Sequence, residues 1–572
     1  MTMMRRLFAI VLVVIYQPAL AFDETYYVRD DDGGPYGNQS GVGWANAFAG
    51  MAAVSYGTGA GQVGPGDLLC LDGEVANTAD TVLSQGGTSA VVPLTVSGSG
   101  YSGCNDASDT GSGTLRKTQT GGTAALTIHP SAQFVVLRDV TIRGGGTSSV
   151  GADGLRTGTR GQSQTGIQVG PNVVVMNASD EGVELGSNTV GGVEVDCDPV
   201  FGSVDASSCE FALKVDNTRN DGIACYTPGA VVRKFQIHNS GRNIGGNNDG
   251  LAVYDDANTD SDCWGGDFAF GYVTNHSGAG ANAGSAAIDV QITGTPPVGL
   301  EYVYLRSILI TDSVRCAKAN TTPTKISGVI TQACDNGVQL EFNADTEWWN
   351  SNFYGSHVNM NTNTGETRNQ IFKNNLSWVQ DGWLNDAANH KHFAIALHAG
   401  PSKPNRFYYL DHNVYRDDSM FGYTHGDSTC QANYLGPNGC LLAVWTTVNA
   451  GSHGAPWDTN SQETATSPFV GPLPSVNEGV TTTDRLDPAE ADTGMRLAVA
   501  HLARTAGIEP PVWVQDFCGN DYVDAGGGEY AVGAFEPSNT SCDVWAGVSG
   551  PGLPAGPNKR SFGGTPATGG IW

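Results

Sequence analysis

Val-Val-Arg-Lys-Phe-Gln-Ile-His-Asn-Ser-Gly at 231–241, a Gly/Asn-rich turn, and Asn-Asp-Gly-Leu-Ala-Val-Tyr-Asp-Asp at 248–256 form one repeating unit of this chain. The unit reads as two short alternating strands around a polar turn. In the first, Val232, Lys234 and Gln236 share one parity, and Val231, Arg233, Phe235 and Ile237 the other. In the second, Leu251 and Val253 point one way, Ala252 and Tyr254 the other. Related text recurs at Phe134–Gly145, Phe268–Gly278, Val303–Ser313, Thr324–Phe342 and Gln370–Trp378. Asp221–Tyr226 and Asn336–Glu341 repeat the second half.

A period of roughly 20–40 residues is that of a solenoid. One such unit cannot bury its apolar face alone, whereas stacked units share a continuous core and long parallel sheets. With Ile, Val, Leu and Phe inside and Asn, Gly and Ser at corners, the repeat resembles the right-handed parallel β-helix family, the pectate-lyase-like fold. The resemblance implies an all-β solenoid over residues 25–537, with Ile223, Leu251, Val253, Ile288, Val338 and Leu340 inward. It also implies an N-terminal capping segment and a C-terminal helix/strand cap, because open coil ends expose core and unpaired edges.

Five regions are expected. Residues 1–21 have the layout of a secretory signal peptide: Arg5-Arg6, an apolar run from Leu7 to Ile15, and Ala-Leu-Ala before the cleavage point. Residues 22–125 hold the cap and first coils, with a Ser/Thr/Gly-rich excursion from Ser97 to Gly122. The coil proper spans 126–414, interrupted by a polar loop at Gly144–Gly161. Residues 415–537 hold the last coils and a cap, including a helix from Pro488 to Ala506 over the coil end and a last strand near Val532–Glu536. Residues 538–572 are a Gly/Pro-rich mobile tail.

Composition narrows the function. The chain carries 57 acidic against 29 basic residues, for a net charge of −28. Phosphate binding needs a basic surface, which argues against nucleic acid. No other stretch is long and apolar enough for a membrane helix; the signal-peptide layout leads to expected secretion to periplasm or exterior, and the capped coil ends to an expected monomer. Twelve cysteines in an exported chain suggest disulfides rather than zinc. Neighbour pairing gives Cys70–Cys104, Cys197–Cys209, Cys225–Cys263, Cys316–Cys334, Cys430–Cys440 and Cys518–Cys542.

Candidate site residues come from outward positions after the recurring glycine: Tyr226, Tyr254, Asp289 and Glu341 would form a stripe to which a sugar could bind. His238-Asn239-Ser240 set against Asn275-His276-Ser277 forms a corner ladder, either of structural Asn stacks or with His276 contacting substrate. His390, His392 and His398 read as a surface loop. The resemblance implies a polysaccharide partner. A lyase acting on a uronate glycan would use Lys234 or Arg242 as base, with calcium on Asp249, Asp255 and Asp256. A second reading is an inverting glycoside hydrolase using Asp255-Asp256. Here Asn258-Thr259-Asp260 follows that pair, whereas in polygalacturonase-like hydrolases such a triplet precedes it. The third is a non-catalytic glycan-binding or surface protein.

Overall fold

The computed structural model describes residues 22–545 with interruptions, the longer ones at 31–38, 105–112, 199–208, 277–284, 379–392, 398–406, 424–439, 450–457 and 474–485. The signal peptide, the three clustered histidines, Asp256 and residues 546–572 lie outside the described residues, as do the side chains of Val338, Leu340 and Glu341.

Every registered strand pairing is parallel, and each coil contributes three strands. The unit quoted above supplies Val231–Arg233, Phe235–His238 and Leu251–Tyr254. Each stacks on its equivalents in the coils before and after: Val231 opposite Asp267, Ile237 opposite Val273, and Leu251 between Ile223 and Ile288. The cross-section is therefore three-sided, and the third side is a separate twelve-stranded sheet. The first and second sides merge into one because Asp267–Thr274 and Val303–Ser313 run unbroken around the corner between them.

That corner corrects the alternation expected at 231–238. Lys234 has φ +54°, and so do its equivalents: Phe270 (+55°), Ser307 (+54°), Asn350 (+48°), Asn374 (+56°) and His412 (+55°). A single left-handed residue turns the chain and resets the inside–outside phase. Val232 and, after the bend, Phe235 and Ile237 thus all enter the core. The second corner is an asparagine column, Asn177, Asn217, Asn239 and Asn275, each with positive φ. Asparagine tolerates that conformation, and the column is bonded side chain to side chain from Asn217 to Asn177 and from Asn275 to Asn239.

Coils also stack on both sides of 126–414. The stack opens with Thr25–Arg29, which pairs with Leu68–Leu71, and closes with Gln462–Thr464. Two segments expected as loops contain strands, Thr114–Lys117 and Asp153–Thr157. No long helix occurs near the N-terminus among the described residues; Trp44–Asn46 and Met51–Ala53 are single 3-10 turns. Five of the proposed disulfides form, and Cys440 is bonded as well, while Cys430 lies outside the described residues.

Residues 486–545 correct the expected end cap. The helix stops at Gly494, and Val532–Glu536 is not a strand. The segment instead lies along the outside of the coil, covering the first corner and the second side. It buries Tyr272, Leu309, Ile330, Tyr354, Leu376 and Val414 beneath Met495, Phe517, Val532 and Phe535. Its anchors are the left-handed corner residues themselves. Asn374 donates to the Ile508 carbonyl (2.7 Å) and accepts from its N–H (3.0 Å). Asn350 donates to the Ala531 carbonyl (2.9 Å) and Ser307 to that of Asp516 (2.8 Å). Gly328, at φ +61°, lets Asp516 approach so closely that a Cβ there would lie 2.9 Å from its backbone carbon. The Lys234 ammonium sits 5.8 Å from the Trp545 ring centre. The strip from Cys542 to Trp545 is therefore docked, not part of a mobile tail.

Leu251→Ala removes a fully buried core side chain. It should lower unfolding free energy by about 2–5 kcal/mol in urea titration. Asn374→Ala loses both bonds to the strap and strains the corner, at a cost of roughly 2–4 kcal/mol. Limited proteolysis should then cut the 486–545 segment faster. Asn374→Gly, which keeps the bend, should expose the strap with less loss of global stability.

Candidate functional site

The outward rows of the third side carry a concentration of buried charge. One row, fixed by strand register, runs Arg156, Glu184, Ala224, Ala252, Asp289, Lys318. Next to it, Tyr226 precedes Tyr254, with ring centres 6.4 Å apart. At the start of successive strands stand Asp153, Glu181, Asp221, Asp249, Ala286 and Arg315.

The row is cross-linked. Arg156 bridges Asp153 (2.7 Å) and Glu184 (3.2 Å), and Arg160 also reaches Glu184 (3.0 Å) while lying 3.7 Å from the Tyr226 ring centre. Further along, Lys318 pairs with Asp289 at 3.2 Å, with side chains only 5% and 1% exposed. The Tyr254 hydroxyl donates to Asp249, which also accepts from the Ala286 N–H (2.6 Å). Asp221 accepts from the Asp249 N–H (2.6 Å).

Burial sets the protonation behaviour of this group. Desolvation pushes Asp249 up to about 6, opposed by the Tyr254 and Ala286 hydrogen bonds and by the charges of Lys318 and Arg315. Asp221 is raised well above the ordinary range by burial and then by the Asp249 charge. Burial and the Asp249 charge also push the Tyr254 hydroxyl up, so it stays protonated. All three groups are shifted upward, and perturbed groups that converge in this way make the row a candidate functional site.

The sequence candidates divide. Tyr226, Tyr254, Asp249 and Asp289 all belong to this row. Lys234 does not: it lies at the corner between the first and second sides, 1% exposed beside Trp545. Burial lowers its ammonium to about 8. A base for this row must face the third side, and Lys234 does not. Arg242 is exposed after the second corner. Asp255 ends the strand that follows Asp249 and is held by the Thr293 N–H (2.9 Å) and hydroxyl. Asp249 is bonded to Tyr254 and Ala286, and Asp255 to Thr293. His276 is buried against Ser240 (3.1 Å), and burial lowers it to about 4. Its side chain is fully buried. His238 stands opposite Thr274, not opposite His276, so the corner ladder consists of the stacked asparagines.

Sequence reading missed Asp153, Arg156, Glu181, Glu184, Arg315 and Lys318. Among the described residues, the carboxylates close enough to share a cation in this row are Asp153, Asp180 and Glu181, whose ligand oxygens lie within 4.8 Å of one another. Asp153 is pushed far up, first by burial and then by its hydrogen bond to Glu181. An oxygen-only cluster suits a hard cation such as calcium. No helix among the described residues is long and apolar enough to cross a membrane.

No protein-family model matches the sequence, and no curated protein matches it either. Among solved structures, pectate lyase Pel9A aligns at 14% identity over 90% of this chain and 97% of that one, with a TM-score of 0.39. Full-length tailspike protein 2 from an Escherichia coli O157:H7 bacteriophage aligns at 11% identity over 64% of this chain and 40% of that one, with a TM-score of 0.35.

Tyr254→Phe removes a bond that favours ionised Asp249, so the Asp249 midpoint should move above about 6. Carboxyl-carbon NMR titration measures it. A carboxyl raised in the fold contributes stability below its unfolded midpoint, and that contribution is lost as pH climbs through the folded one. The variant should therefore lose more stability than the parent between pH ~5 and ~7. Three strands per coil, stacked in register on three sides, make this chain a parallel β-helix protein.

Proposed function

We propose that the chain is a secreted polysaccharide-active enzyme, a lyase that cleaves a uronate-containing glycan by β-elimination along the third side. The supporting observation is the pair of buried cations, Arg315 and Lys318, whose charges act on Asp249, the hydrogen-bond partner of Tyr254. Coils stack about 4.8 Å apart, so the row offers successive contacts to an extended chain.

In this reading Lys318 and Arg315 bind the uronate carboxylate and neutralise it, which makes the neighbouring C–H more acidic. Ionised Asp249, with a midpoint near 6, takes that proton. The electron pair forms a carbon–carbon double bond and expels the glycosidic oxygen. The still-protonated Tyr254 hydroxyl delivers the proton that the leaving oxygen needs and recovers one from the newly protonated Asp249 to which it is bonded, so both groups return to their starting states. Calcium on Asp153, Asp180 and Glu181 would offset the excess of carboxylates and meet a neighbouring uronate. The alternative, an inverting glycoside hydrolase using Asp255 and Asp256, would act on a neutral glycan and give saturated ends.

Purified protein incubated with pectate, alginate, glycosaminoglycans and neutral glycans separates these readings. A lyase gives ultraviolet-absorbing unsaturated ends, a hydrolase gives saturated reducing ends, and a binder gives neither. On the responsive substrate, Lys318→Ala and Arg315→Ala should each lower kcat/KM about 100-fold or more. The rate should rise as pH passes about 6, where Asp249 ionises. Unsaturated product formed at parental rate by both variants would remove this row as the site. Chelation should slow the reaction, and added calcium should restore it.

A further inference from the structure

A cleft of about 410 Å³ lies far from the charged row, where the strap crosses the last coils. Its walls are His412 at the final left-handed corner, Thr459–Gln462 from the loop before the last strand, and Thr505–Ile508 of the strap, with Gly528 at the edge. In a chain with a net charge of −28, this lining has no carboxylate, ammonium or guanidinium. It offers hydroxyls, amides, one imidazole and main-chain polar groups, which is the complement of an uncharged polyhydroxylated ligand.

The walls are also held in place. Asn460 is fixed by the Asp411 carboxylate through its backbone N–H (2.9 Å) and side-chain amide (2.8 Å). Ser461 donates to buried Asp458 (2.7 Å) and accepts from the Asn413 N–H (2.9 Å). The His412 ring turns Nδ1 to Asp411 at 3.2 Å. Opposite, Ile508 is clamped on Asn374, and the Gly507 N–H bonds to Tyr530 (2.8 Å). Thr459, Gln462 and Thr505 are exposed. The cleft is open to solvent and its lining is mainly polar, so a ligand there would be held by hydrogen bonds rather than by apolar burial.

We infer that this cleft is a second, non-catalytic binding site for a neutral sugar unit, built jointly by the coil and its strap. It holds the protein on a glycan without contributing to bond cleavage, and it does not depend on which reaction the charged row performs.

The test is ligand-observed NMR and calorimetry on the full-length protein with glucose, galactose, mannose, maltose and cellobiose. At least one should bind, and Thr505→Trp, which fills the cleft, should weaken it about tenfold or more (about 1.4 kcal/mol). Gln462→Ala, at an exposed position, should weaken it several-fold and serves if the tryptophan variant does not fold. Lys318→Ala should leave the binding unchanged. Absence of binding by all five sugars overturns the proposal, as does binding that survives both cleft variants. Sugar affinity lost in Lys318→Ala but kept in the cleft variants would assign the sugar to the charged row instead. A chain that binds sugar in the cleft yet cleaves no polysaccharide would refute the lyase reading alone.

Discussion

One left-handed residue per coil, between the first and second sides, is the constraint on which the architecture depends. It bends two strands without a loop, so consecutive coils can keep strict register on both flanks. Bending this way costs little at glycine and asparagine and about 1–2 kcal/mol at other residues. Yet the column here includes Lys234, Phe270, Ser307 and His412. Lys234, Phe270 and Ser307 each contact the strap, through Trp545, Trp545 and Asp516. The column sets the bend and presents the side chains that hold the C-terminal segment.

This arrangement divides the molecule by role. The first corner and second side are sealed under the strap, with Trp513 and Trp545 near the ammonium groups of Lys325 and Lys234. The third side is left to carry polar chemistry outward. Its inward positions, such as Leu155, Val183, Ile223, Leu251 and Ile288, are fully buried aliphatics. A rigid sheet with a dry inner face can hold charged outer groups at fixed spacing, which raises or lowers their proton affinity as loops could not.

The solenoid, the inward aliphatics and the disulfide neighbours were legible because each is a local pattern: period two, corner glycine or asparagine, adjacent cysteines. The phase of Phe235 was not, since a single backbone dihedral at Lys234 inverts the alternation and no side-chain pattern marks it. Asp-Gly-Leu-Arg-Thr at 153–157 reads as loop text, although register with Val183 makes it a strand. Ala-Lys-Ala at 317–319 has little intrinsic strand preference. It is a strand because Ile288 and Val338 flank it. Lys318 and Arg156 were therefore missed, while Tyr254 and Asp289 were found on stronger strands.

The strap also bears on how the chain must be made. Its contacts join residues far apart in sequence: Tyr272 to Leu486 and Ser307 to Asp516 are separated by 214 and 209 positions. Domains fold from the N-terminus during synthesis, yet the cover for the middle coils is synthesised about 200 residues after them. Until it arrives, Tyr272, Leu309, Tyr354 and Trp378 form a bare aromatic and aliphatic flank. Such a surface invites association with other chains. Folding of the coils before the strap is synthesised is thus a hazard for this protein.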